Sequence, residues 1–213
     1  MRADRNAAEV AVAAADRPRL FVDLAAAITG CGGNVVGARV FTSRTGQALD
    51  VFNVQDGAGE PFGSHDLRAL ERLVRALEAA ARGEPVPSEP RRSPDLGRSA
   101  AFDITPTVTF DNDASETATV VEASGRDRPG LLADVARTLS DAGLSIVSAH
   151  IDGYGERAVD AFYVCDAEGQ KLTDARRRNS VRAAVIAALA EPDDPASQGR
   201  RAGLQRARAS VAR

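Results

Sequence analysis

The nine residues D-R-P-G-L-L-A-D-V at positions 127–135 carry the strongest fold signal in this chain. The stretch D-R-P-R-L-F-V-D-L at positions 16–24 repeats their pattern. In each stretch an acidic residue and a proline precede apolar residues at helical spacing, which predicts a turn that opens a helix, with Pro18 and Pro129 at the first helical position. Two copies of one structural unit explain this repetition.

Outward from each turn, the same elements recur in the same order. A strand pattern precedes the turn and two strands follow the helix, at about 8–14, 34–41 and 47–56 in the first copy and about 117–124, 145–152 and 157–166 in the second. The first helix of each copy is expected to bury Leu20, Leu24 and Ile28, or Leu131, Val135 and Leu139. The second helix is expected to bury Leu67, Leu70, Val74 and Leu77, or Val181, Val185 and Leu189.

The order β-α-β-β-α predicts an α+β fold with two ferredoxin-like units in tandem. A fourth strand near 107–111, at Val108 to Phe110, completes the first unit as β-α-β-β-α-β, and the second unit has no evident final strand. We therefore divide the chain into a first unit (1–82), a Pro/Arg-rich linker (83–106), a second unit (107–190) and a basic tail (191–213) whose composition predicts disorder.

Composition narrows the functional classes. A net charge of −3 argues against binding to nucleic acid, and no apolar run approaches the ~20 residues that span a membrane, so we expect a cytoplasmic protein. A ferredoxin-like RNA binder would expose aromatic side chains, yet aromatic residues make up 4% of this chain, and Phe52 and Phe162 fall at core positions. The two cysteines, Cys31 and Cys165, are interpreted as packing residues.

The turn at 125–132 is the strongest candidate site. A helix start offers free backbone N–H groups to a carboxylate, Asp127 can accept hydrogen bonds from an α-ammonium group, and Gly130 allows close approach to its backbone. These features suit an amino acid, although the same residues can also act only to start a helix. The candidate ligand contacts in this copy are Arg126, Asp127, Arg128, Pro129, Gly130, Leu131, Ser145 and His150.

The first copy offers a second set of candidates: Asp16, Arg17, Arg19 and Asn34. Arg19 replaces the glycine of the other turn, and it either crowds a ligand or supplies a cation. Asn34 and Ser145 hold equivalent positions at the start of a strand, and both have short hydrogen-bonding side chains. His150 is a polar contact or a structural residue, and neither it nor His65 has the spacing of a metal site.

No catalytic motif is found in this chain, and no catalytic or metal-binding residue is predicted. The aspartates shared by the two copies are assigned to strand ends, where they would serve turns and edges. They are Asp50, Asp56, Asp160 and Asp166.

Further stretches carry a family resemblance. The residues Y-G-E-R-A-V-D-A-F-Y-V at 154–164 and the bridge V-T-F-D-N-D-A-S at 108–115 resemble the last ACT domain of the PII uridylyltransferase family, and A-L-D-V-F at 48–52 resembles its preceding ACT domain. The resemblance covers roughly residues 8–190. It implies a tandem ACT pair that senses glutamine in an enzyme that attaches UMP to the PII protein when glutamine is scarce and removes it when glutamine is plentiful.

The same resemblance places the chemistry elsewhere. In that family an upstream nucleotidyltransferase domain with metal-binding acids, for which Mg²⁺ is expected, and an HD-type phosphohydrolase domain carry the two activities. The implied partners are glutamine, PII and those catalytic domains, and the ACT domains pair within one chain or between chains. Two alternatives stay open: an interaction module without its own ligand, and a transferase that acts through an unrecognised site.

Overall fold

The computed structural model describes residues 6–43, 45–85, 104–154 and 157–190, with only the backbone described at 152–154. The predicted tail and residues 86–103 of the predicted linker lie outside this part of the chain. The described elements are, in order, β1 (Ala8–Ala15), α1 (Leu20–Gly30), β2 (Asn34–Thr42), β3 (Gln47–Gln55), α2 (Leu67–Ala81), β4 (Thr107–Asp111), β5 (Thr119–Arg126), α3 (Leu131–Asp141), β6 (Ser145–Tyr154), β7 (Arg157–Cys165) and α4 (Ala175–Leu189).

The strands form one seven-stranded antiparallel sheet in the order β1-β3-β2-β6-β7-β5-β4. Strands β1 to β3 with α1 and α2 make a first unit, and the remaining elements make a second. The units meet where β2 runs antiparallel to β6, with Arg39 opposite His150. Each of these residues lies equally far into its strand, so an approximate twofold axis passes between them and relates the two units.

Burial alternates along the strands because the helices cover one face of the sheet. In β3, Phe52 and Val54 are fully buried, whereas Leu49 is exposed on the opposite face. Phe52 stacks on Phe21 of α1 with ring centroids 5.6 Å apart. Helices α1 and α3 contact each other, so one hydrophobic core runs through both units.

Most of the predicted core is confirmed, with one correction in α2. The expected residues of α1, α3 and α4 are buried, as are Phe52 and Phe162. In α2, however, three residues expected in the core are exposed, Leu67 by 74%, Val74 by 47% and Leu70 by 36%. The buried residues of this helix are Leu73, Leu77 and Ala80. Apolar residues follow helical spacing on two overlapping stripes of this helix, and periodicity alone could not choose between them.

The helix starts also differ from the prediction. Helix α1 begins at Leu20 and α3 at Leu131, and the residues before them, Arg19 and Gly130, have left-handed backbones with φ of 69° and 82°. A left-handed residue interrupts helical geometry. Both prolines therefore lie in the preceding turn and not at the first helical position.

The fourth-strand prediction is wrong in its pairing. Strand β4 forms at the expected place but pairs with β5 of the second unit, with Thr107 opposite Ser124 and Asp111 opposite Val120. Residues 112–118 connect these strands, and such a short loop costs less entropy to close than a return to β1 would. The Asp111 carboxylate also accepts hydrogen bonds from the N–H groups of Asp113 and Ala114, which fixes the turn.

Candidate functional site

A cleft opens where the second D-R-P turn faces the end of α1 and the start of β2. The first unit lines it with Ala25, Thr29, Asn34, Val35 and Val36. The second unit lines it with the turn and the start of α3, from Asp127 and Arg128 to Gly130 and Leu131, and with Ile151, Ala158 and Asp160 from the sheet. We call it the Asp127 cleft. A molecule bound here would contact both units.

Gly130 makes this close approach of the two units possible. Its φ of 82° is readily adopted by glycine, and a Cβ added at this position would lie 3.2 Å from the Thr29 methyl carbon. The first turn of any helix has backbone N–H groups without intrahelical partners. Because Leu131 begins α3 at the cleft wall, the positive end of that helix faces the cleft.

Two acidic residues contribute to the cleft. Asp127 is half-buried, and burial raises its pKa, while a hydrogen bond from the Arg128 backbone N–H acts in the opposite direction. Asp160 lies in β7 and is 1% exposed. A positively charged group beside a half-buried carboxyl favours its ionised form, so the cleft suits an ammonium group.

Arg128 lines the cleft, but its guanidinium is engaged elsewhere. Its Nη2 atom contacts the Asp134 carboxylate at 2.7 Å and donates to the Ala188 carbonyl at 3.1 Å. Arg17 of the first turn repeats this arrangement with the Asp23 carboxylate and the Ala80 carbonyl. Both arginines therefore tie their turn to the two helices of their own unit.

The other predicted ligand residues lie in different places. Because β6 runs antiparallel to β2, Ser145 lies at the end of the interface opposite Asn34, on the side of the first turn. His150 is exposed and packs edge-on against Tyr163, whereas its neighbour Ile151 lines the cleft, so His150 lies on the other sheet face. Arg126 precedes the turn and Pro129 lies within it, and neither is among the residues that line the cleft.

The first turn, with Asp16, Arg17 and Arg19, lies at the position related to the Asp127 cleft by the local twofold axis. Arg19 takes the place of Gly130, and its Nη1 contacts the carboxylate of Asp141, the last residue of α3, at 2.6 Å. Burial, and secondarily the negative charge of Asp16, raise the pKa of Asp50 to about 7. The two turns thus share the D-R-P residues and a left-handed backbone before the helix, and they differ in the side chain at that position, Arg19 or Gly130.

Sequence reasoning missed several residues of the site, Asp160 above all. Asp50 and Asp160 do not lie at strand ends as expected: each is inside its strand and 1% exposed. The sequence did carry a signal for their burial, because both copies place this aspartate on the buried side of an alternating strand. Thr29 carried no signal, since its place in the cleft depends on the packing of one unit against the other.

Metal binding and membrane insertion find no support in the described residues. There, no group of three or more His, Cys, Asp or Glu side chains is placed to hold a metal ion. The helices resolved in the same ranges are too short or too polar to cross a membrane.

The architecture is the ACT-type ferredoxin-like α+β fold, and residues 119–179 match the family model of the ACT domain. The chain is 72% identical, over its full length, to the bifunctional uridylyltransferase/uridylyl-removing enzyme of Phenylobacterium zucineum, and 63% identical to that of Caulobacter vibrioides. It spans 23% of the length of each relative. Among solved structures, aspartate kinase from Synechocystis aligns with 75% of this chain and 24% of its own, at a TM-score of 0.41 and 19% identity.

Proposed function

We propose that this chain is the glutamine-sensing regulatory part of a uridylyltransferase/uridylyl-removing enzyme, built from two ACT domains in tandem. The single observation that carries the proposal is the Asp127 cleft, which has a helix start, a half-buried acid and a glycine at the junction of two units. The high identity to enzymes of that name supplies the enzyme context.

The cleft offers complementary groups to each end of a free amino acid. The start of α3 attracts the α-carboxylate, and the Asp127 carboxylate accepts hydrogen bonds from the α-ammonium group. Asn34, on the opposite wall, can donate to and accept from an amide side chain. This set of groups favours a neutral amide such as glutamine over glutamate, whose extra negative charge would lie near Asp127 and Asp160.

Ligand binding would act by favouring one arrangement of the two units. Because the cleft wall comes from both units, the bound amino acid stabilises the packing in which α1 and the second turn are close. A coupling of about 1–3 kcal/mol requires only a ~5–150-fold preference of the ligand for that arrangement. A few charge-assisted hydrogen bonds are sufficient for such a preference.

In the proposed enzyme, the arrangement of the units would set the balance between attaching UMP to PII and removing it. The catalytic domains, with the Mg²⁺ expected for uridylyl transfer, would belong to the rest of a longer protein such as the relatives. In this proposal glutamine in the Asp127 cleft favours removal, and the empty cleft favours transfer.

Calorimetric titration of the 213-residue chain with glutamine tests the proposal, with glutamate and asparagine as controls. We expect saturable binding that prefers glutamine and that Asp127→Ala removes, while the matched change Asp16→Ala in the other turn preserves it. No binding at millimolar glutamine would refute the sensor and favour an interaction module without its own ligand. Incubation with PII, UTP and Mg²⁺ is the second control, since labelled PII would reveal an unrecognised transferase site.

A further inference from the structure

We infer that Arg19 makes the two related clefts unequal, because its side chain fills the first-unit cleft and confines amino-acid binding to the Asp127 cleft. This inference rests on the proposed function and assigns the ligand to one of two positions that the repeated fold would otherwise make equivalent.

The equivalence of the two positions follows from the repeat. Helices α1 and α3 have the same length, and each begins directly after a left-handed residue, Arg19 or Gly130. Thr29 and Ser140 are the next-to-last residues of these helices. The first-unit cleft is therefore defined by the turn with Asp16 and Arg19, the end of α3, and the start of β6.

The direction of a side chain at this turn position is known from both copies. A Cβ on Gly130 would point at Thr29, near the end of the other unit's helix. Arg19 follows the same direction, since its guanidinium reaches Asp141, the residue after Ser140. The Arg19 side chain thus runs from the first turn to the end of α3. At the related position of the second unit, Gly130 has no side chain and lines the Asp127 cleft together with Thr29.

The volume of the Arg19 side chain excludes a ligand from the first-unit cleft more effectively than its charge does. The Arg19 and Asp141 side chains are 43% and 60% exposed, and exposed ion pairs stabilise proteins only weakly. The side chain of Arg19 nevertheless places a cation where an incoming α-ammonium group would need an acceptor. Among the described residues, Arg19 is also the non-glycine residue with a positive φ, so this turn has the backbone conformation of a glycine site but carries a long side chain there.

Removal of the side chain should open a second site. Calorimetry with glutamine is expected to give one site per chain in the unmodified protein and two in Arg19→Gly. Asp141→Ala breaks the ion pair but keeps the arginine, and it is expected to stay at one site. The double variant Arg19→Gly with Asp127→Ala should retain one site, now in the first unit.

Arg19→Asn provides a second short side chain that tolerates a left-handed backbone, and it keeps the test valid if the glycine variant does not fold. Two sites in the unmodified chain, or one site in both folded short-side-chain variants, would overturn the inference and leave the sensor function intact. No binding in the unmodified chain would instead refute the proposed function, and this inference with it.

Discussion

The guanidinium of Arg128 contacts the carboxylate of Asp134 at 2.7 Å, and the same guanidinium donates to the Ala188 carbonyl at 3.1 Å. The Arg128 side chain thereby joins the D-R-P turn of the second unit to the start of helix α3 and to the end of helix α4. Because Asp127 precedes Arg128, these contacts also fix the backbone that presents the proposed ammonium acceptor. Arg128 thus lines the cleft while its guanidinium positions the turn through contacts with α3 and α4.

Arg128→Ala should therefore lower stability and weaken glutamine binding together. Losing charge-assisted hydrogen bonds of a half-buried group is expected to reduce the free energy of unfolding by about 1–3 kcal/mol. Urea denaturation followed by circular dichroism measures this change. Arg137→Ala is the matched control, because Arg137 also approaches Asp134, at 3.8 Å, but on the surface, and it should cost less than about 1 kcal/mol. Equal effects of the two changes would contradict the positioning role.

Asp50 should make stability depend on pH near neutrality. Its pKa of about 7 in the folded protein exceeds the value of 3.8 for an unperturbed aspartate, so the folded state binds the proton more tightly. The free energy of unfolding should therefore fall as pH rises from about 4 to above 7, by a total on the order of 4 kcal/mol.

Asp50→Asn removes this titration, and its stability relative to the unmodified protein should increase from pH 5 to pH 8. Urea denaturation at the two pH values provides the measurement. Glu9→Gln, an exposed change on β1, should leave the pH dependence unaltered. A pH dependence in Asp50→Asn that matches the unmodified protein would show that another group is responsible.

Gly130→Ala should weaken ligand binding through two separate effects. The left-handed backbone costs alanine about 1–2 kcal/mol relative to glycine. The new Cβ would also lie 3.2 Å from the Thr29 methyl carbon. Adding Thr29→Ser removes that methyl group and keeps the hydroxyl that donates to the Ala25 carbonyl. The double variant should bind glutamine better than Gly130→Ala alone, as measured by calorimetry. If the second change gave no recovery, backbone strain alone would explain the loss.

Phe52→Ala should destabilise the fold far more than Phe41→Ala. Phe52 is fully buried and stacks on Phe21, whereas Phe41 of the neighbouring strand is 51% exposed. Truncation of a buried phenylalanine costs about 3–5 kcal/mol, because it removes apolar contacts and leaves a cavity. Thermal or urea denaturation of both variants gives the comparison, and similar losses would place Phe52 outside the core.

The fold was largely predictable because it depends on local patterns. The alternation in β3 and β7 placed Phe52 and Phe162 in the core, and the spacing in α1 did the same for Leu20. The partner of β4 was not predictable from its own residues, since the residue pattern of an edge strand is the same whichever strand it pairs with. In α2, Leu67 and Leu73 look equally apolar, and only the docking of the helix on α1 and β1 distinguishes them.

The site was predictable only in part, for a related reason. The turn signal located Asp127 and Gly130, because both follow from the local chemistry of a strand that passes into a helix. Thr29 and Val35 come from the other unit, and their contribution depends on the junction of β2 and β6. For Arg17 and Arg128, proximity to the turn suggested ligand contact, which stays a prediction. What the sequence could not give is that their guanidiniums pair with carboxylates and carbonyls of their own helices.

The sheet that continues from β2 into β6, together with the contact between α1 and α3, has a consequence for how this chain folds. Neither unit covers all its apolar surface alone, so the two should melt in a single cooperative transition. The covalent connection through residues 86–103 is then not what holds them together. A protease cut within that connection should leave two fragments that stay associated and melt as one particle.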